Sequence, residues 1–266
     1  MANLRKGNTM KKYLLGAAAA LAFAAPGVAS AQSAYVDLGY SSSETDNAGV
    51  EDDGEGLTAG GAIAFSSDGA LGFQLDALIG QSEGNGGGDI DTVAVGGHAF
   101  TRNDNHLLGA FANIANVDAG SGNDFDHWTG GLEGQIYMSR TTLDGVVSYS
   151  NGDQIDTDLV ALDLGATHFV TDNFSLGANV GYGQIDDSVN DSDVVTYGVG
   201  AEYQIAAMPF SIFGGYQHAE INDTDSDSET LSVGVRYNWG GSLLDRNRSG
   251  PSLARGVGLG RIASVL

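Results

Sequence analysis

The sequence predicts an all-β protein whose fold is a transmembrane antiparallel up-and-down β-barrel of about twelve strands. Three observations lead to this prediction. An export leader opens the chain, segments that alternate apolar and polar residues follow one another as far as Trp239, and the connections between these segments alternate between short and long. A chain of 266 residues is long enough to close such a barrel as one domain.

The leader is predicted to be a signal peptide over residues 1–31. Lys11 and Lys12 precede an apolar run at 13–25, and small residues suited to cleavage follow at 29–31. The apolar run is shorter than the ~20 residues that cross a bilayer as a helix. We therefore expect an exported protein rather than one anchored by its leader.

Twelve segments of alternating polarity are predicted to be the strands. In the last segment, Leu231 and Val233 share one face while Ser232 and Gly234 share the other. The segment around Leu107 does not alternate cleanly, so its register is left open. The predicted strands span 33–41, 56–66, 71–81, 91–101, 107–116, 127–138, 142–150, 159–169, 174–184, 194–205, 210–219 and 230–239.

The connections alternate in length along the chain. Short turns at one end of a barrel and longer loops at the other are typical of outer-membrane barrels. Most of the acidic residues fall in or beside the long connections, so one rim of the barrel is predicted to carry acidic loops. These long loops are predicted over 42–55, 82–90, 117–126, 151–158, 185–193 and 220–229.

Beyond the predicted barrel at 32–239, residues 240–266 form a basic tail rich in glycine and serine. An even number of strands returns both termini to the same side of the membrane, so we expect this tail in the periplasm. It is either flexible or packed at the lower mouth of the barrel.

The leader, the alternating strands, the turn sequence FVTDNF at 169–174 and the closing strand at 231–239 resemble small porin-like outer-membrane β-barrel proteins of Gram-negative bacteria. The resemblance implies an outer-membrane location and contact with lipid and lipopolysaccharide. One feature departs from the pattern. Such barrels usually end on an aromatic residue, whereas Trp239 lies 27 residues before the end of this chain.

The composition excludes several function classes. The chain has 34 acidic and 11 basic residues and a net charge of −23, which argues against nucleic-acid binding because phosphates require Lys or Arg. It has no cysteine, which excludes thiolate nucleophiles and cysteine-bound zinc. No lysine follows Lys12, so a P-loop or Schiff-base lysine is excluded as well. No cofactor is predicted.

Seven charged residues are predicted to line a pore. Their parity places them opposite the apolar face of their strands, and they are Asp37, Asp76, Glu133, Asp144, Asp163, Glu202 and Arg236. Because one cation cannot neutralise six carboxylates, most of them are predicted to be hydrated or protonated, which implies water in the lumen. Rings of Asp and Glu select cations. The leading prediction is a porin-like channel for passive diffusion of small hydrophilic solutes, with a preference for cations.

One alternative is a non-conducting structural barrel whose acidic loops bind divalent cations that bridge lipopolysaccharide. Asp223, Asp225 and Asp227 form a weak candidate metal site, although Ser228 and Gly234 stand where an EF-hand loop needs Gly and Glu.

A second alternative is a hydrolase at the rim, although an enzyme is not the leading prediction. It would use Asp126 with His127, or His218 with Glu220, as an acid–base pair.

Overall fold

The computed structural model describes residues 31–66, 71–84, 89–118, 124–152, 157–187, 191–222 and 226–253. These residues form a closed antiparallel barrel of twelve strands, in which β12 pairs with β1 and every other pairing joins strands adjacent in sequence. The predicted fold class is therefore confirmed. The leader up to residue 30 and the end of the tail from residue 254 lie outside the described residues.

The strands are longer than the sequence predicts. They are β1 (Ala31–Asn47), β2 (Val50–Ser66), β3 (Leu71–Gly84), β4 (Asp89–Arg102), β5 (His106–Asp118), β6 (Asp124–Met138), β7 (Thr141–Gly152), β8 (Thr157–Thr171), β9 (Phe174–Asp187), β10 (Asp191–Gln204), β11 (Phe210–Ile221) and β12 (Ser226–Trp239). One short helix, α1 (Leu243–Ser249), follows them.

Alternation along each strand separates a polar interior from an apolar exterior. β5, whose register the sequence left open, shows the pattern clearly. Leu107 and Phe111 are buried inside the barrel, whereas Leu108 and Ile114 are 60% and 61% exposed on the outer face. Since successive side chains of a strand point to opposite faces, the exposed apolar side chains form the lipid-facing band of a membrane barrel.

Aromatic side chains flank this band. Phe210, Tyr237 and Trp239 pack edge to face where β11 begins and β12 ends, with ring centroids 5.1 and 4.6 Å apart. Trp128 and Tyr149 form a second pair towards the other end of the barrel, with centroids 5.3 Å apart. Aromatic girdles of this kind mark the two membrane interfaces.

The predicted long loops are wrong in form, because the strands continue through most of them. β1 and β2 run through the whole of 42–55 apart from a turn at Ala48 and Gly49, where both residues have positive φ as a tight hairpin turn requires. Continued pairing gives the backbone groups partners that an open loop would lack. A strand of ~10 residues crosses the bilayer, so these hairpins project beyond it. We call this the hairpin end, and the end with the turns at 139–140 and 172–173 the turn end.

The helix α1 lies at the turn end. The hydroxyl of Ser242 accepts from the backbone N–H of Asp245, and the Asp245 carboxylate accepts from the backbone N–H of Ser242 at 2.9 Å, which is a capping box. The hydrogen bonds that the carboxylate accepts from the backbone N–H and the hydroxyl of Ser242 hold the pKa of Asp245 below its usual range. Across the described residues, no helix is long and apolar enough to span a membrane.

The separation of faces predicts opposite outcomes for one substitution at two adjacent positions of β9. Val180 is 50% exposed on the lipid face, and Asn179 lines the lumen. Arginine on the lipid face near the membrane midplane costs about 2–4 kcal/mol. Val180→Arg is therefore expected to impair assembly, whereas Asn179→Arg is expected to assemble. Heat-modifiable mobility of outer-membrane fractions on gels measures this; assembly of Val180→Arg together with failure of Asn179→Arg would invert the assignment.

Candidate functional site

The lumen contains two buried ionic clusters, and the first centres on His98 of β4. Its Nε2 lies 2.8 Å from Asp76 Oδ2 and its Nδ1 lies 2.8 Å from Glu133 Oε1. All three side chains are at most 5% exposed, and the ring of Phe111 stacks on the imidazole. Both nitrogens can donate to the carboxylates only when the ring is a protonated imidazolium, so this geometry fits one cation shared between two anions.

The second cluster centres on Arg236 of β12. Its Nε and Nη2 donate to Asp37 Oδ2 at 3.0 and 2.8 Å, and its Nη1 donates to Glu202 Oε2 at 2.7 Å. The guanidinium also lies over the ring of Tyr35, 4.3 Å from its centroid. Glu202 also forms an ion pair with a second arginine, because Nη2 of Arg246 in α1 lies 3.0 Å from Glu202 Oε2.

The structure thus places the predicted inward residues on the lumen wall but pairs four of their carboxylates with cations. The expectation that most of the carboxylates are hydrated or protonated is corrected in part, because the sequence argument counted Arg236 as the only cation. His98 and Arg246 were missed. The parity of β4 could have placed His98 inside the barrel. Packing of the tail at the mouth is one of the two alternatives that the sequence leaves open, but no signal in the sequence pairs Arg246 with Glu202.

The other two predicted carboxylates, Asp144 of β7 and Asp163 of β8, lie on a glycine-rich side of the lumen. Asp163 of β8 is 7% exposed. Gly181 of β9 lies between Asp163 and Thr196 of β10, and a Cβ at Gly181 would lie 2.5 Å from both Asp163 Oδ1 and Thr196 Oγ1. The missing side chain leaves room for both polar groups, which a bulkier residue would displace.

A cavity of about 320 Å³ lies on this side of the lumen, between β7 and β12. Glycines and small or polar side chains line most of its wall, including Thr167, Asn179 and Gln217. Among the lining residues that the structure describes, Asp144 is the only one with a charged side chain. A second cavity of about 330 Å³ lies between the wall and the tail, beside Glu202 and Arg236.

Towards the hairpin end, part of the lumen wall is apolar. Leu159, Val194, Ala219 and Ile221 form a buried cluster on neighbouring strands. This part of the wall therefore differs in polarity from the wall around Asp144.

The candidate acid–base residues at the rim do not form pairs. Asp126 and His127 point to opposite faces of β6: Asp126 accepts from Asn116 Nδ2 outside at 2.9 Å, while His127 is buried inside. His218 lies on the outer face, where it stacks on Tyr197 and approaches Glu229 at 3.7 Å.

Acidic residues form a row on the outer face at the hairpin end. Glu220, Asp227, Asp46 and Glu51 are direct cross-strand neighbours on β11, β12, β1 and β2. Like charges directly opposite each other destabilise a sheet, so counter-ions are expected along this row.

The candidate metal site can be located only in part. Asp223 and Asp225 lie outside the described residues, whereas Asp227 belongs to β12. Within the described ranges, no group of three or more His, Asp or Glu is arranged to hold a metal ion. The three-aspartate site therefore stays a prediction.

A closed antiparallel barrel with an apolar outer band, aromatic girdles and a polar lumen defines the class of outer-membrane β-barrel proteins. The profile of the Gram-negative porin family matches residues 91–244, more than half of the chain. The chain belongs to the Gram-negative porin family, and its location is the outer membrane. No curated protein matches the sequence.

Three solved structures share the barrel fold. The translocator domain of the autotransporter NalP from Neisseria meningitidis has a TM-score of 0.52 and 12% identity, over 86% of this chain and 97% of that chain. The beta domain of the Bordetella autotransporter BrkA has a TM-score of 0.52 and 16% identity, over 77% of this chain and 99% of that chain. A Pseudomonas aeruginosa FadL homologue has a TM-score of 0.50 and 11% identity, over 77% of this chain and 90% of that chain. At these identities the likeness shows the fold alone.

The His98 cluster predicts a large loss of stability when its cation is removed. His98→Ala leaves Asp76 and Glu133 as buried anions without their shared partner, which is expected to lower the free energy of unfolding by about 3 kcal/mol. Urea titration of the refolded barrel measures this.

Two controls accompany that measurement. His168→Ala removes an exposed histidine and is expected to change the free energy of unfolding by no more than about 0.5 kcal/mol. Combining His98→Gln with Asp76→Asn and Glu133→Gln removes every charge of the cluster and is expected to recover much of the loss. Equal stability of His98→Ala and the wild type would contradict the assignment.

Proposed function

We propose that the barrel is a channel for passive diffusion of small hydrophilic solutes and that it prefers cations. The cavity beside Asp144 is the observation that carries this proposal. It lies inside the barrel, polar side chains form part of its wall, and the one charged residue among its described lining residues is negative. Acidic groups on a pore wall lower the energy of a passing cation and raise that of an anion.

The arrangement of the two ionic clusters supports the same proposal. Asp76 and Glu133 neutralise His98, and Asp37 and Glu202 are engaged by arginines. These contacts set the positive charges of His98 and Arg236 against carboxylates. Of the described residues that line the cavity, Asp144 carries the charged side chain.

We infer that the hairpin end faces the outside of the cell and the turn end faces the periplasm, since short turns are periplasmic in outer-membrane barrels. The acidic row that includes Asp46 and Asp227 then lies at the level of the lipopolysaccharide headgroups. We propose that it recruits divalent cations that bridge lipopolysaccharide. A higher melting temperature in calcium than in sodium at equal ionic strength would support this role, and equal melting temperatures would contradict it.

We infer that the protein is not an enzyme. The separation of Asp126 and His127 on opposite faces of β6 supports this, because a general base must lie within hydrogen-bond reach of its partner. Hydrolysis of an ester or peptide substrate by the purified barrel, lost in His127→Ala, would contradict it.

Reversal potentials in planar bilayers under a potassium chloride gradient test the proposed selectivity. A carboxylate about 4 Å from a cation in water contributes about 1 kcal/mol, so Asp144→Asn is expected to reduce the cation-to-anion permeability ratio by up to about fivefold. Asp104→Asn removes the same charge at an exposed turn and is expected to leave the ratio unchanged. Anion preference in the wild type, or equal effects of the two substitutions, would contradict the proposal.

A further inference from the structure

The mouth of the barrel at the turn end is occupied by residues 243–253 of the same chain, which we call the mouth segment. Its first part is α1, and residues 250–253 continue from the helix without regular structure. Leu243 and Leu253, at its two ends, are 2% and 5% exposed. Both apolar side chains are therefore buried in the mouth.

Gln74 of β3 binds the backbone of the mouth segment. Its Nε2 donates to the carbonyl oxygen of Leu253 at 3.1 Å, and its Oε1 accepts from the N–H of Leu253 at 3.3 Å. One side-chain amide thus satisfies both backbone polar groups of one residue, as a neighbouring strand would. Because Gln74 is 0% exposed, departure of the segment would leave its buried amide without these partners, which costs free energy.

Gln135 and Arg102 bind Ser252 and Gly250, which precede Leu253. Gln135 Nε2 donates to the carbonyl oxygen of Ser252 at 3.1 Å, and its Oε1 accepts from the Ser252 hydroxyl at 3.0 Å. Arg102 donates to the carbonyl oxygen of Gly250 and to the Ser252 hydroxyl, both at 2.9 Å. Together with those of Gln74, four of these six hydrogen bonds involve backbone groups of the segment, which every peptide carries.

An apolar pocket receives the side chain of Leu253. Phe100 of β4, Leu107 of β5 and Tyr137 of β6 form a buried cluster with it, and these three are 4%, 0% and 8% exposed. Burial of a leucine side chain in such a pocket contributes about 1.5–3 kcal/mol. The pocket therefore gives the site a preference for an apolar side chain at this position.

Two arginines anchor the helical part of the mouth segment. Arg246 binds Glu202 at 3.0 Å and also donates to Asn238. Arg248 donates to Thr142 Oγ1 at 2.8 Å, and its guanidinium lies over an aromatic ring of the wall. Each anchor on the wall belongs to a different strand.

We propose that the turn-end mouth is a peptide-binding site whose resident ligand is the mouth segment. Its ligand class is a peptide with an arginine that reaches Glu202 and, seven residues later, a leucine that fills the pocket. The groups that recognise the peptide come from β3, β4, β6 and β10, far from the segment in sequence. The barrel wall therefore constitutes the site, and the bound segment closes part of the mouth.

The test uses a chain that ends at Gly241 and a fluorescent synthetic peptide of sequence LLDRNRSGPSL, which is residues 243–253. The folded, shortened barrel is expected to bind the peptide saturably in an anisotropy titration. A peptide with Leu253→Asp is expected to bind at least about tenfold more weakly, because it loses the burial of the leucine. In the wall, Gln74→Leu is expected to weaken binding, whereas Gln217→Leu, at a lumen glutamine that the segment does not contact, is not. Absence of saturable binding, or equal binding of both peptides, would overturn the proposal.

A second measurement decides the question if the shortened chain does not assemble. The protein has no cysteine, so Pro251→Cys in the full chain reports the position of the segment through its reaction rate with a bulky maleimide. Pro251 is buried and Ser249 is exposed. Pro251→Cys is expected to react slowly and Ser249→Cys rapidly, and excess free peptide is expected to accelerate the first only. No acceleration would overturn the proposal.

Closure of the mouth also predicts that the shortened barrel conducts more than the full chain and that added peptide reverses this gain. This consequence rests on the proposed function. Binding is measured without conductance, so a barrel that binds the peptide but never conducts contradicts the pore and leaves the binding site standing. A barrel that conducts equally with and without the segment, and does not bind the peptide, contradicts the binding site alone.

Discussion

The interior of this barrel depends on one constraint: a carboxylate inside a protein must be paired with a cation or hydrated. A barrel of eight strands is filled by side chains and one of sixteen to eighteen holds an aqueous channel, so twelve strands leave an intermediate space. Four carboxylates of the lumen are paired with cations, because His98 and Arg236 each hold two of them. Elsewhere in the lumen, glycines leave a cavity beside Asp144.

This division explains why the same wall can serve both stability and transport. Buried ion pairs join β1 to β12, β3 to β4, and β4 to β6 across β5, and the loss of any partner would leave an uncompensated charge. The glycine-rich side holds the cavity beside Asp144. The tail links the two sides, since Arg246 adds a second cation at Glu202 while its neighbours cover part of the mouth.

Much of the fold follows from period-2 alternation, which a single sequence displays. Val180 and Asn179 fall on the faces that their parity predicts, and the closing strand does too. The ends of the strands were harder to predict because polar hairpins such as 42–55 show no alternation of apolar and polar residues, although backbone pairing alone continues the strands there. The ionic partners inside the lumen were the hardest feature to predict from the sequence. His98 meets Asp76 and Glu133 only because the barrel closes in one register, and the return of the tail depends on contacts with strands far away in sequence.

The central claim is that a water-filled path runs through the side of the lumen next to Asp144. The swelling of proteoliposomes in a series of neutral sugars and polyols of increasing size tests it most directly, because swelling requires passage of the solute and does not depend on charge. The account predicts swelling above that of empty liposomes with the smallest solutes and a decline as solute size increases. No swelling with any solute, in the full chain and in the chain that ends at Gly241, would contradict the claim and leave a barrel with a structural role.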